Sequence, residues 1–531
     1  MTTRASIGDR AALRILQFGA VAVVLAAAPY KQFDLDRFFV PKELVLHVVA
    51  LLATLLCLAR ARRLALGRAD QLIGLFLAVS VVSALFATNW WLAGRAVAIS
   101  LSSAGIFWSS RAMSRAGLSR PLLAALAAAA VVGAITALLQ AYGVRTEYVS
   151  LNRAPGGTYG NRNFMAHVCV IAFPALMLVA TTARTRKAFG WWSAAFALTA
   201  GALILSRSRA AWLALIVTAL VLLPLVILAL VRGRNGLRFG RLLLLPIVAA
   251  AGAALALVLP NTLDWNSESP YMDTAKSVVN YKEGSGHGRL VQYGNSLRMS
   301  LHHPLLGVGP GNWAVVYPRF ASDDDPSLSD DGTTSNPWPS SDWMTFVSER
   351  GSAATLLLAV AFLALVADGW RALRSATTAE DRLAACALVG TIAAVIVVGM
   401  FDAVLLLPPP AMITWAALGA LAPVPRERAA IDLSLGRRAL LVFAVTALGL
   451  LAIWRSGAQL VAMSIFSNSS RTSRLERAST LDPGSYRIHL RLAEGYLRRG
   501  SCSRARSHAS AARDLFPSAP APKRVLSRCG R

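Results

Sequence analysis

The chain has 531 residues, of which 55% are hydrophobic and 15% charged, with a formal net charge of +27 and a mean hydropathy of +0.52. Soluble domains usually carry about 25% charged residues, so one water-soluble core is excluded. Nucleic acid is excluded as the reason for the positive charge, because the arginines occupy alternate short connections and form no continuous stripe.

Apolar stretches of about 18 to 23 residues, long enough to cross roughly 30 Å of hydrocarbon as helix, recur along the chain. About thirteen are centred near Ala22, Ala50, Ala78, Ile99, Val131, Met177, Leu198, Val217, Ala250, Leu358, Ala393, Trp415 and Leu448, those at Leu198 and Trp415 being short. Basic residues mark every second connection: Arg60, Arg62, Arg63 and Arg68; then Arg111, Arg115 and Arg120; then Arg184, Arg186 and Lys187. The pattern continues with Arg232, Arg234, Arg238 and Arg241, with Arg371 and Arg374, and with Arg426, Arg428, Arg437 and Arg438. The positive-inside rule makes these connections cytoplasmic, together with the N-terminal tail bearing Arg4, Arg10 and Arg14. Pro29 directly follows Ala26-Ala27-Ala28 and opposes signal cleavage there, so the first span reads as a retained anchor.

The expected fold is therefore all-α: a polytopic transmembrane helical bundle of about 13 spans, with a large extracytoplasmic loop and a small helical-repeat C-terminal domain. Residues 1–456 form the membrane domain and 457–531 the tail. An odd span number places the C-terminus outside, on the periplasmic side. The outer face then receives residues 30–41, the segment Tyr142 to Arg162, the Ser206–Arg209 turn, a loop from about 260 to 345, and the tail. That loop is acidic in its second half (Asp323, Asp324, Asp325, Asp330, Asp331) and lacks an obvious apolar core; loops of this length usually carry function. In the tail, Pro483 and Pro517, Ala478 and Ala512, and Leu481 and Leu515 are each 34 residues apart, the period of a tetratricopeptide repeat. Leu492, Ala493, Tyr496, Ala505, Ala509 and Ala512 take the packing positions of one such unit; any helical hairpin is the alternative. One unit is below the usual stable minimum, so the tail is expected to pack on the membrane domain or a protein partner.

Cys57, Cys169 and Cys386 read as buried hydrophobes, whereas Cys502 and Cys529 can pair on the oxidising side. No metal-ligand spacing occurs, and Gly307-Val308-Gly309-Pro310-Gly311 lacks the Lys-Ser or Lys-Thr of a phosphate-binding loop. No metal and no cofactor are expected.

Four segments carry a family resemblance. Gly156-Gly157-Thr158-Tyr159-Gly160-Asn161-Arg162-Asn163-Phe164-Met165-Ala166 opens a span; two spans later comes Leu205-Ser206-Arg207-Ser208-Arg209-Ala210-Ala211-Trp212. Gly288-Arg289-Leu290 precedes Pro304-Leu305-Leu306-Gly307-Val308-Gly309-Pro310-Gly311-Asn312-Trp313, and Asp342-Trp343 precedes Glu349-Arg350-Gly351. In this order the chain resembles the O-antigen ligase and polymerase superfamily over about residues 155 to 365. The resemblance implies a metal-independent transferase on the outer face of the bacterial cytoplasmic membrane. It moves a glycan from an undecaprenyl diphosphate to lipid A core or another glycan acceptor.

An arginine fork suits a diphosphate leaving group whose charge must be stabilised without an external energy source. Arg209 is the first candidate, because positive charge is disfavoured in an outer turn; Arg207 beside it also suits an anchor to lipid headgroups. Arg289, preceded by Gly286 and Gly288, which let backbone approach a ligand closely, is the second. Asn161 and Asn163 bond sugar hydroxyls or cap the next helix, Arg162 lies between them, and Asn312 and Trp313 complete the candidate binding set. Gly307, Gly309 and Gly311 read as a tight turn in preference to a phosphate cradle. Trp313, Tyr317, Trp338 and Trp343 stack on sugars or anchor at the interface. Where the family places His-Asn, this chain has Ser340-Ser341, so Asp342 becomes the candidate general base, with His287 next. Two alternatives stay open: a non-catalytic platform that binds lipid-linked glycan, favoured by Ser340, and a polysaccharide transporter, with Arg95 and Asp402 near span ends.

Overall fold

The structure, a computed structural model, describes residues 5–29, 38–144, 153–232, 239–277, 284–322, 324–329, 331–424 and 430–530. Arg4, Arg234, Arg238, Asp323, Asp330, Arg426 and Arg428 lie outside the described residues, as do most of the segment 30–41 and part of 142–162.

All thirteen apolar centres fall on helices: α1 Ile7–Leu25, α2 Val40–Leu58, α3 Arg68–Ala84, α4 Trp90–Arg115, α5 Ser119–Ala141, α6 Arg162–Thr181, α7 Arg186–Ser206, α8 Arg209–Arg232 and α9 Phe239–Val258, and, after the loop region, α13 Asp342–Ser375, α14 Ala379–Gly399, α15 Pro408–Leu421 and α16 Leu435–Asn468. Among the described residues nine of these are long and apolar enough to cross a membrane: α2, α5 to α9, α13, α14 and α16. α3 and α15 are short, at 17 and 14 residues, and α1 and α4 are more polar. Every residue of α15 is buried. A helix wrapped by other helices touches no lipid, so its length need not match the hydrocarbon thickness. α6 is the central element, with 89% of its apolar window buried, against 11% for α16 at the periphery.

Contacts between connections sort the bundle into two ends. At one end Arg60 donates to Ser6 Oγ (3.0 Å), Arg111 to the Pro423 carbonyl (2.9 Å), Arg120 to the Thr182 carbonyl and Arg241 to the Ala183 carbonyl (2.6 Å). There too β1 Arg63–Ala65 pairs antiparallel with β2 Ala430–Asp432. This is the basic end. At the opposite end Ser83 reaches Leu306, Asn89 reaches Asn312 and Thr262 reaches Ala141.

The 260–345 region is more than a loop. It contains α10 Pro270–Lys276, α11 Gly284–His302 and α12 Trp313–Val316, and a core of its own in which Met299, Val308, Trp313, Val315, Val316 and Tyr317 pack together. The expectation of no core fails because these apolar residues are interleaved with turn residues and show no period. Asp325, expected on a solvated acidic surface, is instead buried and accepts from Tyr317 Oη and Asn295 Nδ2, each at 2.8 Å.

Beyond α16 come α17 Thr472–Leu481, α18 Tyr486–Arg498, α19 Cys502–Leu515 and α20 Pro520–Cys529. Their core holds Leu492, Ala493, Tyr496, Ala505 and Ala509, and begins inside α16 at Ala462, Met463 and Phe466. The division at 456/457 therefore cuts a continuous helix. Cys502 and Cys529 are joined as a disulfide. The tail is docked: Arg455 pairs with Asp482 at 3.1 Å, Asn89 donates to the Leu515 carbonyl, and Phe516 packs against the core of the loop region.

α13 is two helices, 342–350 and 352–375, separated by Gly351 at φ 78° and ψ 175°. A Cβ on Gly351 would lie 2.0 Å from the Leu305 carbonyl oxygen. Gly351→Ala is expected to cost about 2 to 5 kcal/mol through left-handed strain and overpacking, whereas Gly190→Ala, with nothing within 4 Å, should be neutral or slightly stabilising. Thermal unfolding of the two variants in detergent checks this.

Candidate active site

The glycine-rich turn and the Glu-Arg-Gly segment form one clamp. Glu349 accepts the Gly311 amide on Oε2 (2.7 Å) and the Trp313 amide on Oε1 (3.1 Å). The Ser348 and Glu349 carbonyls take the amides of Val308 (2.9 Å) and Gly309 (2.8 Å), and Ser352 donates its amide to the Pro304 carbonyl (2.8 Å). Gly307, Gly309 and Gly311 all have positive φ, and a Cβ on Gly307 would meet the Glu349 carbonyl carbon at 2.3 Å. The turn is thus shaped by close backbone approach. Asn312 locks it to the start of α4, accepting the Asn89 amide (2.7 Å) and donating to the Asn89 carbonyl (2.9 Å). Arg350 is fully buried between α3 and α4, bonded to Ser80 and Ser100 and lying over Phe76 and Phe346.

The structure also brings five arginines within electrostatic reach of one another or of Asp402. Arg209 lies within electrostatic reach of Arg289, Arg162 within reach of Arg207 and Arg153, and Arg289 and Arg153 both act on Asp402. Arg207 closes α7 in the left-handed conformation, φ 51°, a place where glycine is cheaper by about 1–2 kcal/mol. Its guanidinium donates to Thr274 Oγ1 (2.8 Å) and stands 4.6 Å from the Trp265 ring, with Arg162 4.8 Å from the same ring. Arg209 donates to the Ser277 carbonyl (3.0 Å). Burial lowers the Arg207 pKa from its ordinary value. Among the described residues Arg153, Arg162, Arg207 and Arg289 make no ion pair with a carboxylate. Cations within electrostatic reach of one another repel unless anions join them.

Opposite the arginines runs the α14–α15 connection. Tyr293 Oη, on α11, bridges the carbonyls of Ser340 and Met400, 2.6 Å from each, and Gln292 takes the Ser340 amide (2.7 Å). Ser341 caps α13 and donates to the Gly399 carbonyl (2.9 Å). Asp342 is fully buried and accepts the amides of Val404 and Leu405 at 3.0 Å each. The connection therefore presents Asp402, whose carboxyl is pushed up to about 6 by burial and partly restored by Arg289. The Tyr293 phenol is raised to about 12, again by burial.

Of the residues singled out in the sequence, Arg207, Arg209, Arg289 and Arg162 come together. Asn161 caps α6, its Oδ1 accepting the Asn163 amide (2.9 Å), and Asn163 lies in the first turn behind it. Asn312 and Trp313 are wholly buried, the indole donating to Ser296 Oγ (2.9 Å), so both hold the clamp and neither presents a surface to a sugar. Asp342 is committed to two amides, and His287 is exposed on α11. Sequence patterns did not single out Arg153, Trp265, Tyr293 and His167. His167 carried a signal, an ionisable residue in an apolar span one turn past Asn163; Trp265 carried none.

Residues 194–352 match a protein-family model described as O-Antigen ligase. This stretch is an O-antigen ligase domain. It runs from α7 to the break at Gly351 and so contains Arg207, Arg209, Arg289 and the whole clamp. With the nine helices long and apolar enough to cross a membrane, the match supports a multi-pass membrane protein of surface-glycan ligation. No curated protein matches the chain.

Asn312→Ala removes a buried partner of Asn89 and should cost about 1 to 3 kcal/mol for each group left unpaired. The expected result is a lower melting temperature with an unchanged KM for glycan donor; a raised KM at parental melting temperature would return Asn312 to the binding set.

Proposed function

We propose that the chain transfers a glycan from undecaprenyl diphosphate to an acceptor, lipid A core or another glycan, at the outer face of the bacterial cytoplasmic membrane, as a ligase or polymerase. The arginine cluster carries this reading. Arg209 and Arg289, brought together from α8 and α11, match the separated charges of a diphosphate, and Arg207 and Arg162 flank them around Trp265. Guanidinium forks pair with phosphate oxygens and stay charged where water is scarce. As the bond to the sugar breaks, charge grows on the leaving oxygen, and fixed cations there stabilise the transition state more than the ground state. Lysine keeps the charge but loses the fork. Arg209→Lys and Arg289→Lys should each lower transfer about a hundredfold or more while membrane insertion is retained; parental rates in both would remove the arginines from this role.

The outer-face assignment rests on the basic end of the bundle, which the positive-inside rule turns to the cytoplasm. Phosphatase fusions at Asp325 and Gly500 should be active and a fusion at Arg371 silent. Ser340 in place of the family histidine favours a second reading, a binding platform without turnover. Surface-polysaccharide gels separate the cases: a ligase deletion loses all lipid A-linked chains, a polymerase deletion leaves a single capped repeat, and active-site variants of a platform leave the pattern unchanged.

A further inference from the structure

One buried imidazole within reach of the Arg289 charge has no structural employment. His167 stands on the central helix α6, 1% exposed, and among the described residues neither ring nitrogen has a hydrogen-bond partner. An imidazole buried in this way costs about 1–3 kcal/mol for each polar atom left unpaired, and its neighbours Ala166 and Val168 show that an apolar residue fits this helix. Its closest charged group is Asp402, with Nδ1 and Oδ2 3.8 Å apart. That is beyond a direct hydrogen bond but within ion-pair reach.

The rest of the site fixes Asp402 in place. Asp342 N donates to the Asp402 carbonyl (3.2 Å), the Asp342 carboxylate holds the two residues at 404 and 405, and Asp402 Oδ1 takes the Ala403 amide (2.9 Å). Oδ2 is left toward His167. The Arg289 charge bears on His167, Asp402 and Arg209 alike, so the imidazole shares one neighbourhood with the leaving-group cations. Ser340, where the family pattern has histidine, is joined to the Asp402 connection through Tyr293.

We propose that His167, oriented by Asp402, accepts the proton of the acceptor hydroxyl, replacing the histidine missing from position 340. The inference rests on the glycan-transfer reading above. In the step, the acceptor oxygen bonds to the anomeric carbon of the donor sugar. The bond from that carbon to the diphosphate oxygen breaks, and its electron pair stays on the diphosphate beside Arg209 and Arg289. The hydroxyl proton passes to His167 Nε2, while Nδ1–H faces Asp402 Oδ2, which balances the imidazolium charge. The proton then leaves to water. Asp402 is a positioning residue.

The test uses membranes containing the full chain, with lipid-linked glycan extracted from a strain deleted for it, and reads release of undecaprenyl diphosphate. His167→Asn should lower turnover about a hundred- to ten-thousand-fold with donor KM unchanged. Asp402→Asn should lower kcat but leave donor KM alone, and Asp402→Glu should recover part of the rate. In the double variant His167→Asn with Ser340→His, turnover should return, an outcome that misfolding cannot produce. A parental rate in His167→Asn overturns the proposal, as does loss of donor binding together with turnover and no return in the double variant. If Arg289→Lys is inactive while His167→Asn is not, the proton acceptor is wrong and the transfer reading stands; if the parental chain releases no undecaprenyl diphosphate, the transfer reading itself fails.

Discussion

Glu349 makes one carboxylate serve two backbone amides, and most of the architecture between α9 and α13 leans on that arrangement. Those amides belong to Gly311 and Trp313, so the glycine turn is tied to the end of a membrane helix at the point where Gly351 breaks it. From the turn, Asn312 fixes the start of α4, and Trp313 seeds the core on which Tyr317 and Met299 pack. α11 is packed against this core, and α11 carries Arg289, Gln292 and Tyr293. A charge-assisted bond of this kind is about twice as strong as a neutral one, and in a buried setting its loss would leave two amides without partners.

The electrostatics of the site run the other way. Arg162 beside Arg207 and Arg153, and Arg209 beside Arg289, raise the free energy of the resting protein, and the partial remedies are the Thr274 hydroxyl, the Ser277 carbonyl, the Trp265 ring and the carboxylates of Asp273 and Asp402. Two carboxylates beside five arginines leave the cluster net positive. The fold therefore stores a preference for a multiply charged anion before any ligand arrives, which is the preorganisation that transition-state stabilisation requires.

The helices were legible because most apolar runs are as long as a bilayer is thick, and even the short, fully buried α15 shows itself as hydrophobic. The paired arginines were legible because positive charge stands out in a short turn at the end of the bundle opposite the basic connections. Two kinds of feature were not. The core around Trp313 has no period, since turns interrupt it, and the clamp residues Asn312 and Asp342 look like ligands when only their chemistry is visible. His167 and Asp402 are 235 positions apart, and nothing local announces that α6 and the α14–α15 connection meet.

The short helix 342–350 bears on two fixed bodies at once: Asp342 on the amides at 404 and 405, Glu349 on those at 311 and 313. Seven residues of α-helix return to nearly the same azimuth, off by about 20°, and advance about 10.5 Å. The segment is a pin with a carboxylate near each end. Connections elsewhere can lengthen freely, but inserting one residue here would swing one carboxylate through about 100° and release either the glycine turn or the loop that bears Asp402. The interval between these two acids is a gauge length for the end of the bundle that bears the glycine turn and Asp402.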